Sequence, residues 1–230
     1  MQGITFKLSG RYGHFKRPES NDNPSTYSYM HKVALVGFIG AVVGIERQDM
    51  KPVYQQLCDD LLYSIRILNK IIKEPHAFTK RYTIPSRFYK SGRRFCEYLK
   101  DPCYEITVVL KNERSKEIFD VFCKNIREGL SVYPTYFGSI NCSAYVGYVG
   151  TPDVSDEKNG VFETSSVFSA QHVIKSDLEN LDLIFEWIPT HSVDTFYTPE
   201  KIVQTVCSQS GTVRVSGPYR LVNETADCFF

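Results

Sequence analysis

Two stretches of this chain interleave cations with flat rings and hydroxyls. The first, HFKRPESNDNPSTYSYMHK at 14–32, supplies His14, Lys16, Arg17, Ser25, Thr26, Tyr27, His31 and Lys32. Between positions 80 and 98 a second alternates Lys80, Arg81, Arg87, Lys90, Arg93 and Arg94 with Tyr82, Phe88, Tyr89, Phe95 and Tyr98. Single-stranded nucleic acid asks for this mixture, because cations hold phosphates while rings stack bases at about 1–3 kcal/mol each. The first stretch also leads into a helix N-terminus, where backbone N–H groups receive phosphates. Both patterns have plainer readings, a mobile surface loop and a solvated hairpin whose rings pack into the core, and composition leaves them open.

Other chemistries lack their residues. Neither a P-loop nor a G-x-G-x-x-G is present, and YVGYVG at 145–150 alternates large residues as a strand or bulge does. His14, His31, His76, His172 and His191 are scattered, with no H-E-x-x-H. The seven cysteines include no C-x-x-C pair and read as reduced structural thiols. No cofactor and no metal are expected.

Bulk charge predicts no partner, since 27 Lys and Arg face 26 Asp and Glu. The distribution does more. Residues 1–18 hold Lys7, Arg11, Lys16 and Arg17 and no acid, and residues 75–96 hold six cations and no acid, whereas residues 151–186 hold eight acids against Lys158 and Lys175. A basic N-terminal surface with an acidic region behind it follows. Val33–Ile45, thirteen uncharged residues, covers roughly 20 Å as a helix, short of a bilayer's roughly 30 Å core. With an N-terminus that reads as a strand, the expectation is a cytoplasmic protein with no membrane partner.

The elements that must position these residues follow from periodicity. Ile4, Phe6 and Leu8 alternate with polar residues as a half-buried first strand, and 10–30 is a loop. Val33–Arg47 predicts a buried helix on which Gly37, Gly40, Ala41 and Gly44 make a smooth face for close approach to a sheet or another subunit. Pro52–Asp60 predicts a short helix, and Leu61–Ile72 fits helix and strand alike. The 75–100 stretch, with Pro85 and a Ser91-Gly92 turn, predicts an extended arm or hairpin. Tyr104–Leu110 predicts a strand, Ser115–Glu128 an amphipathic helix stopped by Gly129, and Thr198–Ser208 a helix with Thr198 as N-cap and Pro199 at its first position. The fold class is α+β. A ferredoxin-like (RRM-like) β-α-β-β-α-β domain with an extended hairpin occupies 1–150, and a smaller, mostly β region occupies 151–230.

These residues also carry a family resemblance. FKLSGRYGHFKRPESNDNPSTYSYMHKVALVGFIGAVVGI (6–45), SRFYKSGRRFCEYLKDPCYEITVVL (86–110), YPTYFGSINCSAYVGYVG (133–150) and the closing ADCFF resemble, in order and spacing, the fifth CRISPR-associated protein family (Cas5). This family of RAMP-superfamily subunits belongs to the Cascade surveillance complex, and the wording is most similar to the type I-B branch. The resemblance implies an antiviral-defence subunit that caps the 5′ handle of the CRISPR RNA (crRNA). It also implies contacts with the repeated backbone subunit and with the large subunit that reads the protospacer-adjacent motif, and target DNA reached through the complex. The arm 75–100 would be the thumb, and Tyr136, Phe137, Gly138 and Ser139 a Gly-containing loop near the handle. One branch, type I-C, is a metal-independent endoribonuclease for repeat RNA; Tyr27, His31, Lys32 and His14 are types that fill such acid and base roles. Its Lys-His pair has no counterpart in EITVVLKNERSKEIFD at 105–120, so a non-catalytic RNA-binding subunit is the expectation and the nuclease the alternative.

Overall fold

A computed structural model describes residues 1–20, 23–81, 91–174, 181–192 and 199–230. In chain order the elements are β1 (Gly3–Ser9), β2 (Tyr12–Gly13), α1 (Lys32–Val43), α2 (Met50–Asp60), β3 (Leu61–Ile67), β4 (Ile72–Arg81), β5 (Ser91–Lys100), β6 (Cys103–Leu110), α3 (Lys116–Glu128) and β7 (Tyr145–Gly150). They continue with β8 (Lys158–Thr164), β9 (Phe168–Ser169), β10 (Leu183–Ser192), β11 (Pro199–Ser208), β12 (Val213–Val222) and β13 (Thr225–Asp227).

The central sheet has the order β3-β6-β1-β7 with every neighbour antiparallel. Taken with helices before β3 and β7, that is the ferredoxin-like strand order. Alternation along β1 sends Ile4, Phe6 and Leu8 into the core and leaves Lys7 exposed. Phe6 stacks on Phe38 of α1 at 5.7 Å between ring centroids and meets Phe122 of α3 edge-on at 5.7 Å, so both helices close the same face.

The glycines of α1 divide their work, which corrects the single smooth face. Gly44 adopts φ +92° as the helix C-cap, its N–H bonded to the Gly40 carbonyl, and a Cβ there would lie 2.8 Å from Val132. At Gly40 a Cβ would sit 2.5 Å from Met50 Sδ, so the close approach is to α2 and not to the sheet; around Gly37 there is open space.

Strand pairing settles Leu61–Ile67, because the edge of β6 offers a full antiparallel ladder from Leu61 opposite Leu110 to Ile67 opposite Tyr104. Tertiary pairing also overrules the helix expected at 198–208. Pro199–Ser208 is β11, whose β-branched Ile202, Val203, Thr205 and Val206 pair with β10, while Thr198 lies outside the described residues. Ser91 and Gly92 belong to β5 and not to a turn; Pro85 lies outside the described residues.

The C-terminal region is three-stranded twice over, β10-β11-β9 and β13-β12-β8. It shares the N-terminal core: Val167, Ile188 and Cys207 belong to the same apolar cluster as Phe6, Val36 and Tyr63. Tyr63 and Phe230 exchange backbone hydrogen bonds at 3.1 and 3.0 Å, and Arg66 pairs with the buried Asp227 at 2.6 Å. Among the described residues no helix is long and apolar enough to cross a membrane.

Candidate nucleic-acid interface

The hairpin is a ladder in register from Ile72 opposite Lys100 to Arg81 opposite Ser91. On its other edge β5 takes Tyr12 and Gly13 of β2 opposite Lys100 and Leu99. The 14–32 loop continues along that edge: the Glu97 N–H donates to the Pro24 carbonyl at 2.9 Å, the Phe95 N–H to Asn23 Oδ1 at 3.0 Å, and the Thr26 N–H to Glu97 Oε2 at 3.0 Å. The unpaired edge of β5 thereby captures the loop, and loop and hairpin form one surface.

A third segment joins them. Phe137, fully buried, meets Phe15 at 6.0 Å and Tyr104 at 5.7 Å, and its carbonyl accepts from the His14 N–H at 2.9 Å. Gly138 follows at φ +76°, where a Cβ would fall 2.4 Å from the His14 carbonyl oxygen. Only glycine permits this approach. Tyr136 bridges to Ser143 across the loop, and the Ser139 carbonyl accepts from the Cys142 N–H at 2.9 Å.

The surface is built from the inside out. Thr26 is wholly buried, its hydroxyl accepting from the Phe15 N–H and donating to the Tyr27 carbonyl, both at 2.9 Å. Arg17 lies over the Tyr27 ring at 5.0 Å, reaches the Thr26 carbonyl and pairs with Glu186 of β10. Glu186, itself buried, also accepts from the Ser28 N–H at 2.7 Å and stands 3.7 Å from Lys73 Nζ, which donates to the Thr26 carbonyl at 2.9 Å. Burial raises the Tyr27 phenol to about 12.

Three expected contact residues have other employment. His31 caps α1: its Nδ1 accepts from the Ala34 N–H at 3.2 Å, its ring lies between Tyr27 at 4.9 Å and Phe15 at 6.2 Å, and burial lowers its pKa to about 3. It is a neutral structural imidazole, where direct contact with a phosphate would ask for an exposed or charged one. Lys32 points away from the loop, into a cavity with Cys58 and Lys111. Thr26 likewise holds the loop from within.

What faces solvent is a subset of the expected residues with some additions. Lys16 and Arg93 are exposed, Arg17, Ser25, Arg94, Tyr136 and Ser139 are half-buried, and Gly138 lies at the surface. Lys80 and Arg81 end β4, and Arg87 and Lys90 lie outside the described residues. His14 is largely buried, its Nδ1 donating to the Glu97 carbonyl at 2.8 Å, and burial lowers its pKa. Sequence reasoning missed the ring cluster beside it: Tyr98 gathers Tyr12 at 6.1 Å, His76 at 5.2 Å and Phe78 at 6.1 Å. The two-residue spacing of His76 and Phe78 signals one strand face, but only the hairpin register puts them beside Tyr98. Phe78 and Phe95 are 48% and 51% exposed, a cost in water that stacked bases would relieve. Among the described residues no cluster of His, Cys, Asp and Glu has the makings of a metal site.

Comparison with known proteins places this geometry. No curated protein matches the sequence. Among solved structures the chain is similar to a CRISPR protein from Archaeoglobus fulgidus, with 16% identity over 99% of this chain and 98% of that one and a TM-score of 0.59. It is also similar to a chain of a CRISPR RNA-guided surveillance complex, with 13% identity over 94% and 91% and a TM-score of 0.51. At such identities the likeness is one of fold. The family model described as CRISPR-associated protein (Cas_Cas5) matches residues 3–222, nearly the whole chain, and the protein belongs to that family.

Proposed function

We propose that this family member is a non-catalytic subunit of a CRISPR surveillance complex of type I, most like the I-B branch, and that it holds the 5′ handle of the crRNA. The observation that carries the reading is the joining of three regions distant in sequence, 14–20 with 23–27, 72–81 with 91–100, and 135–144, into one surface. Lys16, Arg93 and the rings of Phe78 and Phe95 are exposed there, Arg93 and Phe95 on one face of the hairpin and Phe78 with Tyr98 on the other. Cations and rings on a rigid frame are what a single strand needs, phosphates positioning it and bases stacking. On this reading the hairpin reaches toward the backbone subunit, the large subunit docks nearby, and target DNA comes through the assembled complex.

The non-catalytic part rests on His31. Its lone pair is committed to the Ala34 N–H and its ring is enclosed, so it is in no position to take a proton from a 2′-OH. Labelled repeat RNA incubated with the chain in EDTA, run on native and denaturing gels, tests both parts. The RNA is expected to be bound and intact. Specific cleavage that Tyr27→Phe abolishes would make the chain a nuclease, and absence of any shift would remove the RNA-holding role.

A further inference from the structure

A second basic site lies apart from this surface. None of the residues 14–27 and none of the hairpin lines it. A cavity of about 610 Å³ opens between the start of α1, the end of α2 and the strands β10 and β11, with Lys32, Lys111, Lys201 and His191 among its polar walls and Phe229 and Phe230 among its apolar ones.

Lys32 is what makes this more than a groove with surface lysines. Its residue is 4% exposed, and among the described residues its ammonium has neither a hydrogen-bond acceptor nor an ion-pair partner. Its Nζ is not itself sealed off but meets the open space of the cavity, where an entering anion would give it the partner it lacks. Burial lowers its pKa to about 8, with Lys111 and Lys201 pushing the same way against Cys58 and Asp59, so it keeps its proton at neutral pH. Asp59 is the one carboxylate side chain in the wall, and it is engaged by His191 Nε2 at 3.2 Å. Three ammonium groups against one carboxylate side chain leave the side chains of the wall net positive.

A net positive wall suits an anion, and a phosphate monoester, which carries about −1.5 to −2 at pH 7, gains more from it than a diester with a single charge. The volume lies in the usual range of small-molecule sites, about 300–1,000 Å³, and the phenylalanine walls suit a flat apolar body behind the phosphate. We propose that this cavity is a phosphomonoester site for a nucleotide, either a free mononucleotide or the 5′-phosphorylated end of an RNA.

The test uses the full chain and calorimetric titration with AMP, adenosine and inorganic phosphate, beside one short RNA carrying either a 5′-phosphate or a 5′-hydroxyl. AMP binds and adenosine does not, with inorganic phosphate weaker than AMP. Lys111→Glu and Lys201→Glu, changes at exposed positions that leave the core untouched, each weaken AMP at least tenfold, and Lys32→Met does the same with its buried volume kept. A tenfold preference for the 5′-phosphorylated RNA assigns the RNA end as the ligand; equal affinity of the two RNAs beside tight AMP binding assigns the free nucleotide. The proposal is overturned if neither AMP nor the 5′-phosphate adds affinity, or if the Lys111 and Lys201 variants leave that added affinity unchanged. Lys16→Glu on the other surface leaves AMP binding unaltered, so failure here is separable from failure of the RNA-handle reading.

Discussion

His31 and Glu186 show how single side chains hold the basic loop. With its pKa lowered from 6.5 to about 3, His31 stays neutral in the folded chain while the unfolded chain takes up a proton below about pH 6.5. The unfolded state then binds more protons, so this group's contribution to stability is present above about pH 6.5 and is lost as the pH falls toward 3, by up to about 1.4 kcal/mol per pH unit. Replacing His31 with Asn, a good N-cap without a titrating ring, should flatten the pH dependence of denaturant-measured stability between pH 6 and 4 by about one proton's slope. A parallel slope in wild type and variant would show that His31 does not titrate this way. Glu186→Ala should cost about 3 kcal/mol, because the Ser28 N–H and the Arg17 guanidinium lose their buried acceptor. Thermal unfolding would read it as a drop of roughly 6–12 °C. The residue types of the loop were legible in the sequence, but this anchor was not: Arg17 and Glu186 are 169 positions apart, and nothing local in LIFEWIP marks its Glu as a partner.

At the scale of elements, the glycines of α1 and the loop beside them give opposed expectations from one residue type. Gly37→Ala should stabilise by about 0.5–1 kcal/mol, since the position is inside a helix with open space around it. Gly44→Ala and Gly138→Ala should destabilise by about 1–3 kcal/mol each, both having positive φ and a close neighbour. Equilibrium unfolding of the three variants checks the signs, and a stabilised Gly44 variant would contradict the capping role. Elements with strong local patterns were readable: β1 from its alternation and α3 from Phe119, Phe122 and Ile126 with Gly129 behind them, whereas the Ser91-Gly92 turn read for the hairpin is part of β5. The Leu61–Ile67 strand and β11 were not, because their state is decided by an open edge on β6 and by pairing with β10. In β11 the local cap signals of Thr198 and Pro199 pointed to a helix and lost to that pairing.

For the whole molecule, the joined core makes the C-terminal strands a support for the basic loop, with Glu186 of β10 as the tie. The order β3-β6-β1-β7 was legible as a β-α-β-β-α-β succession, whereas the shared core was not, since no local pattern marks Val167, Ile188 and Cys207 as packing with Phe6 and Tyr63. The central claim is that this surface holds single-stranded RNA through Lys16 and Arg93. Its most direct test is the salt dependence of affinity for handle RNA, wild type against Lys16→Glu/Arg93→Glu, two exposed positions whose change leaves the fold intact. The double variant should bind more weakly, and the slope of log K against log salt should shrink by about 1.4, roughly 0.7 for each lost phosphate contact. An unchanged affinity with an unchanged slope would contradict the account.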